Sequence, residues 1–124
     1  MKFDAILMNP PYCRTLHLHL TMKFKDLAAY FCCLQPGTFL LNDFCRSKIY
    51  LRTRYIVKPY IIFMKVISRK TWPTLTFDQP LIYYICTPHK NTNCIISYKG
   101  INTIHIKDKK TILEDLYGDT YISI

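Results

Sequence analysis

Residues 3–12 read Phe-Asp-Ala-Ile-Leu-Met-Asn-Pro-Pro-Tyr, an apolar run that ends abruptly in two prolines. A short apolar run of this kind is typical of a buried strand. Proline has no backbone N–H for a strand ladder, so Pro10 and Pro11 end the strand and begin a rigid loop. The stretch therefore predicts a strand that delivers Asn9 and Tyr12 onto a loop.

The groups on this loop suit an amine that is attached to an aromatic ring. Such an amine is a poor nucleophile because its lone pair is spread into the ring, and hydrogen-bond acceptors draw it toward tetrahedral geometry. Asn9 offers a side-chain oxygen and Pro10 offers a backbone carbonyl. Pro11 fixes the loop, and Tyr12 offers a ring face for stacking on an extruded base. The chemistry then depends on alignment and fixed dipoles, and it requires no general base.

These ten residues resemble the motif of amino-methyltransferases that use S-adenosylmethionine, which reads F-D-x-I-x-x-N-P-P-Y after a central strand of the sheet. Every specified position of that motif matches. By chance, the last four residues in order would occur roughly once in a thousand chains of this composition. Residues 16–18 and 33–41 are similar to the following helix and strand-loop of DNA adenine methyltransferases of the restriction-modification and phage type. The resemblance extends over residues 1–44.

The resemblance implies a DNA adenine-N6 methyltransferase that transfers a methyl group from S-adenosylmethionine to a flipped adenine. It implies catalytic roles for Asn9, Pro10, Pro11 and Tyr12, and a cofactor contact for Asn9. The implied fold is α/β, a partial Rossmann-like methyltransferase sheet in a single domain over residues 1–124. Enzymes that methylate RNA or a protein glutamine share the tetrapeptide, so those substrates stay open.

The glycine-rich first strand-turn-helix of a methyltransferase is missing from this chain. That turn lets the backbone approach the cofactor, but Gly37, Gly100 and Gly118 form no G-x-G arrangement. We interpret the chain as a fragment of a longer enzyme, as a subunit completed by a second chain with the cofactor-binding half, or as a relative retained for binding. Such a partial sheet exposes a strand edge, so we expect it to self-associate.

The positive charge is concentrated in one segment. Lys and Arg number 17 against 8 acidic residues, which gives a net charge of +9, and no acidic residue occurs between Asp43 and Asp78. Tyrosines and a tryptophan are interleaved there, which favours phosphate contacts and stacking on unpaired bases. The chain is alternatively a non-enzymatic basic DNA-binding or restriction-modification accessory module. The predicted DNA-binding residues are Arg46, Lys48, Arg52, Arg54, Lys58, Arg69 and Lys70.

The remaining composition excludes several classes of protein. Half of the residues are hydrophobic, which argues against disorder. No apolar run approaches the roughly 18 residues of a membrane span, and residues 1–4 do not resemble a secretory signal. We therefore expect a cytoplasmic protein with no membrane partner, whose six cysteines are small buried hydrophobes. No metal site is predicted, because the chain has no C-x-x-C pair.

Periodicity and turn signals predict the order of the elements. A helix is predicted over 15–30, then a strand over 31–34 and a turn at 35–37 in which Gly37 is able to adopt a positive φ. Residues 38–58 are predicted to begin as a helix and finish extended before Pro59. The other predicted elements are strands over 61–67 and 81–86, a loop over 68–80, a hairpin of 94–98 with 102–106, a helix over 111–116 and a strand at 121–122.

Overall fold

The computed structural model describes residues 2–41, 47–67, 80–109 and 111–112. These residues form a mixed six-stranded sheet with helices, which confirms the α/β class. The strands are β1 (Phe3–Met8), β2 (Ala28–Pro36), β3 (Ile61–Ile67), β4 (Leu81–Cys86), β5 (Asn93–Tyr98) and β6 (Ile101–Ile106). The α-helices are α1 (Leu16–Phe24), α2 (Thr38–Leu41) and α3 (Lys48–Val57).

The sheet order is β1-β2-β4-β3-β5-β6. β1 is parallel to β2, and β3 is parallel to β5. β4 is antiparallel to both β2 and β3, and β6 is antiparallel to β5. Strands β1, β2, β3 and β5 therefore run in one direction, while β4 and β6 run in the other. Within the described residues, β1 pairs on one side only and forms an edge of the sheet.

The core lies on one face of this sheet. The register places Met8, Cys33, Tyr84 and Met64 side by side across four strands. Apolar helix residues join the same buried cluster, and α3 contacts both α1 and α2. The described elements therefore pack as a sheet with its helices on one face.

The opposite face carries exposed apolar side chains. Leu7 is 80% exposed, Phe3 is 55% exposed and Tyr30 is 52% exposed. Ile95 and Ile104 continue this row toward the other edge of the sheet. Such a row differs from the alternation of apolar and polar residues that an antiparallel sheet shows when one face is solvated.

The helix predicted over 15–30 is too long. α1 ends at Phe24, a single 3-10 turn follows over Lys25–Leu27, and β2 begins at Ala28. Residues 28–30 are extended because they pair in parallel register with β1, where Phe3 lies opposite Ala28. This pairing is a tertiary contact that overrides the local helical pattern.

The turn predicted at 35–37 is also displaced. Gln35 and Pro36 are the last residues of β2, because they pair with Ile82 and Leu81 of β4. Gly37 does not have a positive φ, whereas Gly100 has a φ of 79°. Gly37 is instead required by space: a Cβ atom there would lie 2.5 Å from Cγ2 of Ile82.

Residues 48–57 are helical, so the prediction that this segment finishes extended is wrong. Thr53 and Val57 lie four residues apart and are both buried, as expected for one face of a helix. The helix ends at Val57, two residues before Pro59, which confirms the predicted boundary. The sequence pattern was obscured by the basic residues on the exposed face of α3.

The other predicted strands are confirmed as strands, but the prediction that the first of them is buried is wrong. All six residues of β1 are exposed or half-buried, because β1 is an edge strand within the described residues. β1, β3 and β4 cover the expected segments, and β5 and β6 form the expected hairpin. Lys99 and Gly100 have φ values of 50° and 79°, which suit a tight two-residue hairpin turn. Apart from residues 80, 111 and 112, the loop predicted over 68–80, the helix over 111–116 and the strand at 121–122 lie outside the described residues.

Most of the described cysteines are buried, as predicted: Cys32, Cys33, Cys86 and Cys94. Cys13 is exposed, against that prediction, because it lies in the loop between β1 and α1. Cys45 lies outside the described residues. Among the helices that the structure describes, none combines the length and apolar character of a membrane span.

Candidate functional site

The motif loop follows the carboxyl end of β1, beside the carboxyl end of its parallel neighbour β2. Ligands of open α/β sheets bind at this end of the strands. Asn9 and Pro11 are exposed, Pro10 is buried and Tyr12 is half-buried. The loop therefore presents the Asn9 side chain to solvent and is anchored by Pro10 and Tyr12.

Tyr12 holds the side chain of Asn9 by a hydrogen bond. Its hydroxyl lies 2.6 Å from Oδ1 of Asn9 and 2.9 Å from the backbone oxygen of Leu34, so both acceptors share one proton. An amide oxygen has two lone pairs, so Oδ1 keeps a second acceptor position. Burial, with a contribution from Cys33, raises the pKa of Tyr12 to about 12. The hydroxyl therefore stays protonated and able to donate across the physiological range.

The Tyr12 ring also packs edge-on against the ring of His17 in α1. The two ring centroids are 6.1 Å apart and the ring planes are 76° from parallel. The sequence predicts that Tyr12 stacks on a base, and this role stays a prediction. The contacts within the chain give Tyr12 a second role, which is to fix Asn9.

The His17 ring that contacts Tyr12 belongs to a buried polar network. Gln35 is fully buried, and its Nε2 lies 2.9 Å from Nδ1 of His17. Its Oε1 accepts a hydrogen bond from the Tyr84 hydroxyl at 2.5 Å and lies 3.2 Å from the Thr21 hydroxyl. Since this oxygen is the acceptor, Nε2 donates to His17, which therefore carries its own proton on Nε2.

The charge state of His17 follows from its surroundings. The residue is 2% exposed, and burial lowers its pKa to about 4. Protonation would also place an N–H of the ring opposite the NH₂ group of Gln35, where two donors would meet. His17 is therefore a neutral member of the packed core at neutral pH.

This network was not predicted from the sequence. α1 places His17 in the core and leaves His19 exposed. Gln35, which was predicted to lie in a turn, is part of β2. The spacing of the residues contains a signal for this position. Gln35 follows Phe31 and Cys33 at intervals of two, and residues at this spacing share one face of a strand.

The buried thiol of Cys33 is not a reactive centre. Burial raises the pKa of Cys33 to about 12, which keeps its thiol protonated. No group of three or more metal-ligating side chains occurs among the residues that the structure describes. The exposed thiol of Cys13 directly follows the motif loop.

The predicted DNA-binding residues divide into three sets. Lys48 and Arg52 are exposed on α3, while Arg54 and Lys58 line a cleft at the end of that helix. Arg46, Arg69 and Lys70 lie outside the described residues. Of the interleaved aromatic residues, Tyr55 is 81% exposed, whereas Tyr50 and Tyr60 pack against the core.

The cleft and the motif loop lie at opposite ends of the sheet. Lys58 and Pro59 precede the amino end of β3, whereas Asn9 follows the carboxyl end of β1. These strands have seven and six residues, and at about 3.3 Å per residue they are about 20 Å long. The structure therefore separates Arg54 and Lys58 from the motif loop.

The described residues do not fit S-adenosylmethionine. The space beside Gly37, which follows β2, is filled by Ile82. Gly100 is in the turn of a hairpin and precedes a strand rather than a helix. Neither glycine provides the open backbone at a helix start that such a cofactor needs.

Comparison with known proteins adds no family assignment. The chain matches no family model, and it has no significant match among curated proteins.

Proposed function

We propose that this chain provides the part of a DNA adenine-N6 methyltransferase that binds the target amine. The observation that carries the proposal is the pairing of Asn9 with Tyr12 on the loop that follows β1. This pairing presents an amide oxygen, with one acceptor position left, at the end of a sheet where ligands bind.

In the proposed site, Oδ1 of Asn9 accepts one hydrogen bond from the N6 amine of adenine. The backbone carbonyl of Pro10 accepts the second, and Pro11 stiffens the loop. With both N–H bonds directed to acceptors, the nitrogen becomes more tetrahedral and its lone pair points out of the ring plane. Tyr12 holds Asn9 and stacks on the base through its ring.

Adenine inside a duplex is out of reach of this loop, so the proposal requires that the base is flipped out of the stack. The exposed position of Asn9 leaves room for such a base. Lys48 and Arg52 are exposed on α3, and they would contribute phosphate contacts that weaken as salt is added.

A mixed sheet is compatible with a Rossmann-like methyltransferase sheet, because large α/β sheets often combine parallel strands with reversed ones. The proposal places S-adenosylmethionine, as the methyl donor, outside the described residues. It is then bound by another part of the polypeptide or by a second chain.

The proposal is tested with single-stranded oligonucleotides that differ by one amino group. One contains adenine at a central position, and the other contains purine, which lacks the N6 amine. Two hydrogen bonds of about 1 kcal/mol each predict that the adenine oligonucleotide binds about 10-fold more tightly or better. Equal affinities would refute the assignment of Asn9 and Pro10 as acceptors.

The second candidate is a non-enzymatic basic DNA-binding or restriction-modification accessory module. It is favoured by the poor fit to the cofactor together with the basic cleft. Titration calorimetry with S-adenosylmethionine, and transfer of a labelled methyl group to DNA, separate the two candidates. Competition between DNA and RNA, or a glutamine-containing protein, for labelled transfer identifies the substrate class.

A further inference from the structure

A cleft of about 510 Å³ opens between three segments at the amino end of β3. The segments are the end of α3, the loop between β4 and β5, and the residues that follow β6. Its volume lies within the roughly 300–1,000 Å³ that is usual for small-molecule sites. The charged and aromatic residues that line it are Arg54, Tyr55, Lys58, Lys90, Lys107 and Asp108.

The walls of the cleft are fixed to one another by backbone hydrogen bonds. The N–H of Asn91 donates to the carbonyl of Pro59 at 2.8 Å, and the N–H of Lys107 donates to the carbonyl of Thr92 at 3.0 Å. The Lys107 Nζ donates to the carbonyls of Pro59 and Ile61, at 3.1 Å and 2.7 Å. The cleft is therefore a built feature of the fold, with little rearrangement needed on binding.

The described lining of the cleft is mostly cationic. Four described cationic side chains line it, and Asp108 is the one carboxylate among its described lining residues. Burial lowers the pKa of Lys107, while Cys94 and Cys86 oppose the shift; smaller effects come from Lys58, which lowers the pKa, and Asp108, which raises it. A bound anion would favour the charged form of Lys107.

An exposed aromatic ring stands beside these cations. Tyr55 is 81% exposed on the solvent-facing side of α3. A ring in this position offers a face on which a planar base can stack, and stacking of this kind tolerates any base. Phosphate-binding cations beside one stacking ring match the two parts of a nucleotide.

We propose that this cleft binds a nucleotide, with its phosphate on the lysines and arginine and its base on Tyr55. The nucleotide is either free or part of a nucleic acid strand, and the chemistry of recognition is the same. The site does not depend on the proposed methyl transfer, because it lies at the other end of the sheet from Asn9. A strand that occupied both sites would span several nucleotides between them.

Thymine probes test this site without involving the amine acceptors, because thymine has no exocyclic amine. Thymidine 5′-monophosphate and an eight-residue oligothymidylate are titrated by calorimetry, with thymidine and inorganic phosphate as partial ligands. We expect saturable binding of the monophosphate or the oligonucleotide, and at least 10-fold weaker binding of thymidine. Tighter binding of the oligonucleotide identifies a nucleic acid strand as the source, and equal or tighter binding of the monophosphate identifies a free nucleotide.

Two substitutions of exposed side chains locate the binding. Lys90→Gln and Tyr55→Ala are each expected to weaken it at least 5-fold. Lys99→Gln is the matched control, since it removes the same charge from an exposed residue in the β5–β6 turn, away from the cleft. The proposal is overturned if neither probe binds saturably, if thymidine binds as tightly as its monophosphate, or if Lys99→Gln weakens binding as much as Lys90→Gln.

Discussion

The hydroxyl of Tyr12 lies 2.6 Å from Oδ1 of Asn9, which joins the first and last residues of the motif loop. The same hydroxyl lies 2.9 Å from the backbone oxygen of Leu34 in β2. The loop is therefore fixed to the neighbouring parallel strand through one side chain. In the proposed site this contact determines where the target amine meets its acceptor.

Replacing Tyr12 with phenylalanine tests that relationship. Tyr12→Phe removes the hydroxyl and keeps the ring, so the stacking surface stays while Asn9 is released. We expect the preference for adenine over purine oligonucleotides to fall about 3- to 10-fold, and the free energy of unfolding to fall by about 1 kcal/mol. Tyr30→Phe is the control, because Tyr30 is exposed on the opposite face. An unchanged preference in Tyr12→Phe would show that this hydroxyl does not position Asn9.

His17 predicts a pH dependence of stability. Its folded pKa of about 4 is below the unfolded value of 6.5, so the unfolded state binds more protons between these values. The contribution of His17 to the free energy of unfolding is complete above pH 6.5. It is lost as the pH falls through 4, which lowers the free energy of unfolding by about 3 kcal/mol in total. Urea unfolding between pH 3.5 and 7.5 measures it.

Two histidine variants assign this dependence. His17→Asn should remove most of the slope between pH 4 and 6.5, while His19→Gln, at an exposed position on the same helix, should keep it. A slope that survives His17→Asn would belong to another group.

The buried network predicts a cost for losing one hydroxyl. Tyr84→Phe removes the closest donor to Oε1 of Gln35, which is fully buried. The oxygen then keeps the longer contact with the Thr21 hydroxyl, at 3.2 Å. Loss of the Tyr84 donor should therefore lower the free energy of unfolding by about 1–3 kcal/mol. Tyr83→Phe is the comparison, since Tyr83 is half-buried on the other face. Equal costs for the two variants would contradict the importance of the network.

Gly37 and Ile82 predict a steric coupling. A Cβ at position 37 would lie 2.5 Å from Cγ2 of Ile82, so Gly37→Ala should cost about 1–3 kcal/mol of stability. Ile82→Ala should recover part of that cost in a double-mutant cycle. Gly100→Ala is the control: its positive φ also makes alanine unfavourable, but Ile82→Ala should not relieve it. Strict additivity of Gly37→Ala and Ile82→Ala would contradict the packing.

The exposed edge and face at β1 predict self-association. Leu7 is 80% exposed on a strand that pairs on one side only within the described residues. Leu7→Lys should shift sedimentation toward the monomer at micromolar concentrations, since a charge on an edge strand opposes pairing. Leu51→Lys, at an exposed position on α3, should leave the association unchanged. A chain that is monomeric without either substitution would contradict the expectation.

The sequence predicted the elements whose signals are local. An apolar run before Pro10, the hairpin with Gly100 at its turn, and the boundary before Pro59 all have a direct stereochemical cause. The errors arise where a distant strand determines the conformation: Ala28 is extended because Phe3 lies opposite, and Pro36 because Leu81 does. No local pattern contains that information.

The candidate site divides in the same way. The loop and its residue types were predictable from the motif, whereas the Tyr12 contact with Leu34 joins residues 22 positions apart. The basic cleft depends on segments around Lys58, Lys90 and Lys107, which come together only in the folded chain. Composition predicts a basic surface, but it does not show that the cleft lies at the end of the sheet away from Asn9.

The role of Asn9 as an acceptor for the target amine is tested most directly by a double-mutant cycle. The cycle combines the loss of the Asn9 side chain with the loss of the N6 amine from the oligonucleotide. Affinities for adenine and purine oligonucleotides are measured for the unmodified chain and for Asn9→Ala, with Lys99→Gln as a charge control away from the site. We expect Asn9→Ala to reduce the adenine preference by at least about 5-fold, because the variant loses one hydrogen bond of about 1 kcal/mol. An adenine preference of the same size in Asn9→Ala would contradict it.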